Sequence, residues 1–347
     1  MHPLPCQIVP CQPTTALAPM QDVTMRDFMS LIAKCGAPDY YFTEYYRVHG
    51  HSRIDENVRR AICENDTGRP IFAQILGEDI EGMRRAAREL CELPIAGVDL
   101  NLGCPAPKVF KKNVGGGLLR DPDHVDKLLA ALREETAGTI FSVKMRYGFE
   151  DDRHFERFLE MIDRHGVDLL SLHARTVRQL YRGKPDYSYI TKAVRALKCP
   201  VFANGDLSSC DKATSVLNET GAFGAMIGRP AVRNPWIFRQ CREKFSGAPV
   251  FRPLLSDVRK YADDLWQVTG GDVLADKFHI PRMKKLLNFI GLGIDAKGGF
   301  LQEMRLTKSG DELFSVCDKY MIENGNSEKS FAPDALPNLV ARPNHEN

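Results

Sequence analysis

Eight short apolar, β-rich runs recur along the chain with helix-like stretches between them, and this alternation constrains the fold more than any other feature. The runs are residues 15–20, 40–46, 70–76, 96–103, 139–146, 169–174, 200–206 and 223–229. Between them, residues 78–91, 122–135, 152–165 and 208–220 are long enough for helices with one apolar face. In the third of these, Phe155, Phe158, Leu159 and Ile162 fall at i, i+3, i+4 and i+7. A strand joined to the next by a helix runs parallel to it, and eight such units predict an α/β chain closed into a (β/α)8 TIM barrel. An open doubly wound sheet is the alternative. It calls for a Gly-rich first crossover, and G-x-G-x-x-G is absent after the first run.

The pattern divides the chain. Residues 1–14, with four prolines in the first thirteen, read as a disordered leader, and 15–246 as the catalytic barrel. Pro and Gly in 247–253 mark a linker; helical spacing at 254–269, 278–290 and 308–321 predicts a small all-helical domain over 247–323. The last stretch, 324–347, is rich in Asn, Pro, Ser and charge and reads as a disordered tail. Apolar content of 43% with 27% charged residues is that of a soluble globular enzyme, and no run approaches the length needed to cross a bilayer. Ten cysteines without a C-x-x-C pair argue against a disulfide framework or a metal site and fit a reducing cytoplasm. No obligate protein partner is evident.

In a (β/α)8 barrel, function gathers at the carboxyl ends of the strands. Polar residues cluster there: Met20-Gln-Asp22, Thr43-Glu44, Gln74, Asn101, Cys104, Lys144-Met-Arg146, His173-Ala-Arg175, Asn204-Gly-Asp206 and Gly228-Arg229. Cys104 lies between Gly103 and Pro105 just past a strand end, where the backbone can approach a ligand. A buried small hydrophobe is the plainer reading, and the other nine cysteines keep it. Asn204-Gly205-Asp206 and Gly228-Arg229 follow the seventh and eighth strands, where such barrels commonly hold a phosphate. Lys144, inside an alternating strand, is costly unless an anionic group faces it or its ammonium snorkels out. His173 is either a site residue or a satisfied core histidine, and His49-Gly-His51 reads as a loop.

Ala18-Pro-Met20, Thr43-Glu44, Gln74-Ile-Leu-Gly77, the run 99–109, Val143-Lys-Met-Arg146, His173-Ala-Arg-Thr176 with Tyr181-Arg-Gly183, Asn204-Gly-Asp206 and Met226-Ile-Gly-Arg229 together resemble the tRNA-dihydrouridine synthase family, in order from about residue 16 to 290. Thr43-Glu-Tyr-Tyr-Arg47 and Pro281-Arg-Met-Lys284 are most similar to the bacterial branch acting on uridine 16 of the D-loop. Ala174 stands where that family usually has glycine, and 113–117 varies its glycine pattern. The resemblance implies FMN, with Pro19, Met20, Gln74, Lys144 and His173 at its ring and Asn204, Gly205, Asp206, Gly228 and Arg229 on its ribityl phosphate. It implies NADPH as reductant, tRNA as partner and Cys104 as the proton donor. Asn101 and Arg175 are expected at the uracil edge, with Arg47 and Tyr181 on the tRNA.

Local charge speaks for RNA where the net charge of +2 does not. Between 277 and 308, seven Lys and Arg face two acids, Asp295 and Glu303, and Lys108, Lys111 and Lys112 flank the Cys104 run. Arg282, Lys284, Lys285 and Phe289 are expected to grip tRNA, a cationic face with an aromatic; a merely solvated helix face is the plainer alternative. A flavin barrel acting on a free small molecule, and a non-catalytic RNA-binding barrel, are the rival functions. Neither calls for the whole set above.

Overall fold

The structure is a computed structural model and describes residues 2–333. Nine strands are present: β1 Thr14–Leu17, β2 Tyr40–Phe42, β3 Tyr46–Arg47, β4 Ile71–Leu76, β5 Gly97–Leu102, β6 Ile140–Arg146, β7 Leu169–His173, β8 Val201–Asn204 and β9 Gly224–Ile227. All pairings are parallel; β1 meets both β2 and β9, and β2 meets β4, so the sheet closes on itself. β2 and β3 both lie along β4 and are one barrel strand broken at Thr43. There the Thr43 hydroxyl accepts the Gln74 N–H at 3.1 Å in place of a backbone carbonyl. The closed barrel therefore has eight strands, each near its expected position. The open-sheet alternative falls with the β1–β9 pairing.

Apolar side chains fill the lower lumen: Ala16, Tyr40, Phe42, Phe72, Ile140, Leu169, Phe202 and Met226 form one buried cluster. Phe42 stacks on Phe72 at 4.7 Å, and Tyr40 leans on Phe72 and Phe202 at 5.7 and 6.1 Å. The barrel is a packed core with its polar residues displaced to one end. Helices such as Ile80–Cys91, Pro122–Glu135 and Phe155–Arg164 cover the outside with their apolar faces.

The expectation of a disordered leader is corrected. The His2 backbone N–H donates to Asp168 Oδ1 at 2.5 Å, Ile8 N–H to Asp39 Oδ1 at 2.7 Å, and Arg69 Nη2 to the Cys6 carbonyl at 2.9 Å. Leu4 packs against the aromatic cluster. The segment covers the amino end of the lumen, and that apolar surface is what orders it.

The described residues form two compact units. One comprises residues 1–26, 38–207 and 212–227 and holds every barrel strand; the other comprises 27–37, 208–211 and the chain from 228 onward. The second unit contains the helices Ile237–Phe245, Leu255–Thr269, Asp276–Ile294, Gly299–Leu306 and Gly310–Met321. Of these, Gly299–Leu306 has no counterpart among the expected helices. Within the expected tail, 323–328 forms a 3-10 turn and Ser330 pairs with Leu254; residues 334–347 lie outside the described residues. No described helix is long and apolar enough to cross a membrane.

Candidate active site

Alternation within β5 sends Asp99 and Asn101 to the same face, and register sets Asp99 between Gln74 of β4 and Ser142 of β6. Asp99 is fully buried; its Oδ2 accepts from Gln74 Nε2 at 2.7 Å and its Oδ1 from Ser142 Oγ at 2.6 Å. One layer toward the mouth, Asn101 Nδ2 donates to Gln74 Oε1 at 2.8 Å. Asn101 Oδ1 accepts the backbone N–H of Gly103 at 3.0 Å and of Cys104 at 2.9 Å.

Cys104 is thereby held half-buried beside Tyr45 and Ala106, over Leu76, Val109 and Val114. Burial pushes its thiol above the ordinary value, against the pull of Arg146, Lys144 and Arg47. The thiol is protonated at neutral pH. The glycine run that follows packs directly on it. Gly116 donates its N–H to the Cys104 carbonyl at 3.3 Å, and a Cβ there would lie 2.8 Å from that oxygen and 2.6 Å from Val177. Gly115, at φ +55°, would bring a Cβ within 3.1 Å of the Cys104 Cβ.

Lys144 Nζ reaches Asn204 Oδ1 at 3.3 Å, and the Asn204 amide is oriented by donating to the Met226 carbonyl at 2.8 Å. Lys144 makes no ion pair among the described residues. Burial first, then the neighbouring Arg146, lowers its ammonium from the usual lysine range to about 8. Arg146 ties the mouth together. Its Nε donates to the Gly103 carbonyl at 3.1 Å, its Nη1 to the Thr176 and Leu180 carbonyls, both at 2.7 Å, and its guanidinium lies 5.5 Å over the Tyr181 ring. Tyr181 is 42% exposed, with its ring 6.5 Å from that of His173.

Asp22, Asn113, Leu180 and Asp206 all carry positive φ, in the loops after β1, β5, β7 and β8. Left-handed backbone at non-glycine residues is costly and persists where the surroundings impose it. Here it collects at the carboxyl end of the barrel. Tyr187 donates to the Gly205 carbonyl at 2.8 Å, with Gly205 at φ +123°. Met20 lies in the turn that follows β1, its carbonyl accepting from Thr24 at 3.0 Å; Pro19 precedes it, and Arg47 closes β3.

Two residues with expected ligand roles also make contacts within the chain. Arg175, expected at the base edge, is 1% exposed, and its guanidinium donates to the Arg182 carbonyl at 3.2 Å, to the Gly183 carbonyl at 2.6 Å and to Asp206. Lys284, expected on phosphate, donates to the Arg305 carbonyl at 2.8 Å and to the Thr307 carbonyl, closing the helix Gly299–Leu306. Sequence spacing places both cations on a helix or strand end but cannot see the carbonyls of a distant loop. Arg282, Lys285 and Phe289 share the helix Asp276–Ile294, and Gly228 and Arg229 begin a short helix; all belong to the second unit. Asp99, Ser142 and Arg146 carry no assigned role in the sequence reading. Their signal is polar residues at every second position of strands that are otherwise apolar, at 99 and 101 and at 142, 144 and 146.

A closed parallel barrel with a protonated cysteine, a desolvated lysine and a buried amide network at its carboxyl end defines a (β/α)8-barrel enzyme. The family described as "Dihydrouridine synthase (Dus)" matches residues 16–276. The chain belongs to that family of oxidoreductases. It is 37% identical over 235 residues to "Probable tRNA-dihydrouridine synthase" of Helicobacter pylori, covering 67% of this chain and 71% of that protein. To "tRNA-dihydrouridine(16) synthase" of Neisseria meningitidis it is 29% identical over 314 residues, 88% of this chain and 93% of that one. Among solved structures, a variant of NCR from Zymomonas mobilis matches with a TM-score of 0.50 at 18% identity, over 69% of this chain and 88% of that one. The 6-hydroxypseudooxynicotine amine oxidase of Pseudomonas geniculata matches with a TM-score of 0.52 at 11% identity, over 67% and 47%. At such identities these two bear on the fold alone.

Proposed function

We propose that this chain reduces a D-loop uridine of tRNA to dihydrouridine, with FMN as bound cofactor, NADPH as reductant and Cys104 as proton donor. The observation that carries the reading is the Cys104 thiol, kept protonated by burial on a loop fixed by Asn101. The residues at the mouth fit an anionic ring system: the Lys144 ammonium hydrogen-bonds Asn204 and makes no ion pair among the described residues, and Arg175 Nη1 is buried without a hydrogen-bond partner. Pro19, Met20, Gln74, Lys144 and His173 would hold the ring, and Asn204, Gly205, Asp206, Gly228 and Arg229 the ribityl phosphate. FMN, when bound and reduced by NADPH, supplies hydride to C6 of the uracil.

Cys104 then gives its Sγ proton to C5, and the thiolate left behind recovers a proton from solvent. A thiol with a raised pKa suits a donor that must stay protonated near neutral pH. Asn101 keeps one amide hydrogen for the base, while Arg175 holds Asp206 and the 182–183 loop in place. Arg47 and Tyr181 face the RNA in this reading. Residues 15–246 act as the catalytic barrel and 247–323 as the RNA-binding domain. Uridine 16 is the favoured target, because similarity to the dihydrouridine(16) synthase extends over more of this chain than that to the 37%-identical relative. Residence in the cytoplasm, where tRNA and reduced thiols coexist, follows.

The test is single turnover of pre-reduced enzyme with tRNA. Cys104→Ala keeps its yellow colour and its NADPH oxidation but forms dihydrouridine slower by about 10²–10⁴-fold, the usual contribution of a general acid. A wild-type rate would place the proton donor elsewhere.

A further inference from the structure

We propose that Asp99 is a positioning residue: through Gln74 and Asn101 it sets the direction of a hydrogen-bond relay that ends on the backbone of Cys104. The relay has one possible sense because both of its ends are fixed. At the inner end, an ionised carboxylate can only accept, so the Gln74 NH2 must face Asp99 Oδ2, at 2.7 Å. At the outer end, the N–H groups of Gly103 and Cys104 can only donate, so Asn101 must present Oδ1 to them, at 3.0 and 2.9 Å. The remaining pair then matches, Asn101 Nδ2 to Gln74 Oε1 at 2.8 Å. Were Asp99 unable to accept, the Gln74 amide could turn over and oppose NH2 to NH2 at Asn101.

Asp99, Gln74 and Ser142 are fully buried and Asn101 is 7% exposed, so water cannot repair a broken link. Burial raises the Asp99 carboxyl to about 6, against the hydrogen bonds from Gln74 and Ser142 and the charge of Lys144, so the carboxylate is ionised at the pH of the test below, and Ser142 satisfies its second oxygen. Asp99 lies inside the barrel, at the start of the relay. It acts on the Cys104 loop through the two amides.

The catalytic consequence rests on Cys104 being the proton donor, but the positioning itself does not, so the test reads the thiol directly. Holoenzyme is treated with iodoacetamide and alkylation is followed peptide by peptide, with Cys91 as internal reference. Asn101→Asp keeps the acceptor for the loop N–H groups but sets a second acceptor against Gln74 Oε1. At about pH 8.5, where thiolate is available, the Cys104 rate is expected to rise about five-fold or more as the loop loosens. Adding Asp99→Asn reverses the relay: the new amide at position 99 donates to Gln74 Oε1, and Gln74 Nε2 donates to the new carboxylate at position 101. The double variant is expected to return most of the way to the wild-type rate.

Both variants carry the same carboxylate at position 101, beside the Cys104 loop; they differ in the charge at position 99, for which Asp99→Leu is the control. Asp99→Leu, which removes the acceptor while keeping the same branching, is expected to match the single variant and serves where Asn101→Asp does not fold. In single turnover with tRNA, dihydrouridine formation should fall and recover in parallel with alkylation. Equal alkylation in Asn101→Asp and the double variant, or a wild-type rate in folded Asp99→Leu, would overturn the relay. Loss of the Cys104→Ala effect with the alkylation pattern intact would overturn only the proton-donor reading.

Discussion

Lys144 carries a desolvation cost at the mouth of the barrel, where it is proposed to meet the flavin. With its pKa lowered to about 8 by burial, the folded chain holds the proton on this lysine less tightly than the unfolded chain, whose lysines titrate near 10.4. Between these values the unfolded state binds more protons, so this group's contribution to stability rises with pH through about 8. Lys144→Met should therefore stabilise the protein at pH 7, by up to about 1 kcal/mol because the side chain is only half-buried, as replacing a desolvated charge by packing commonly does. Thermal melts at pH 7 and at pH 9.5 check it, the gain shrinking at the higher value. Flavin binding should move the other way. An anionic ligand favours charged Lys144, so affinity falls as pH rises above about 8 in the wild type and is weaker and flat in Lys144→Met. Fluorescence titration across that range is the measurement, and a parallel slope in both proteins would remove Lys144 from the ligand.

At the scale of elements, the loop after β5 is held from several sides. Asn101, Arg146 and the glycine run each hold it from a different side. Gly116→Ala drives a Cβ into the Cys104 carbonyl and Val177, and overpacking of this kind costs about 1–3 kcal/mol. We expect a modest drop in melting temperature together with a much larger loss of dihydrouridine formation, because the strain falls on the Cys104 backbone. A loss of activity no greater than at a control glycine with open space, such as Gly138, would count against it. The eight strands were legible because parallel barrel strands are short apolar runs bounded by helical spacing. The break at Thr43 was not, since a side-chain oxygen replacing a carbonyl leaves no mark on hydropathy. Nor was the ordered leader: its few apolar residues signal nothing until an aromatic floor exists for Leu4 to cover.

For the whole molecule, a net charge of +2 conceals a basic helical segment. Lys284 is engaged with two carbonyls inside the second unit and burial lowers its pKa, while Arg282 donates to the Thr269 carbonyl at 3.2 Å through one nitrogen of its fork; the proposed phosphate contacts of that helix are tested at Arg282 and Lys285. Replacing both by serine should weaken tRNA binding and reduce its salt dependence by about 0.7–0.9 log units of slope per lost phosphate contact. FMN content and NADPH oxidation should stay as they are. Lys284→Ala should instead lower the melting temperature with little change in slope, since it removes the closure of the helix Gly299–Leu306. Filter binding across a salt titration distinguishes them, and an unchanged slope in the double variant would leave RNA to the barrel unit alone.

Periodicity and residue type determined the barrel, the end of it that carries chemistry, and the cysteine at that end. These are properties of neighbours along the chain, where side-chain alternation and helical spacing are already physical constraints. Tertiary structure decided what each polar group does. Gln74, Asp99 and Ser142 are 25 and 43 residues apart at successive links, and only strand register brings their atoms within 3 Å. The same register sets the half-buried lysine of β6 against Asn204, and the loop after β7 brings Arg175 to Asp206. A hydrogen bond is directional and short, so its partners exist only once the sheet has closed.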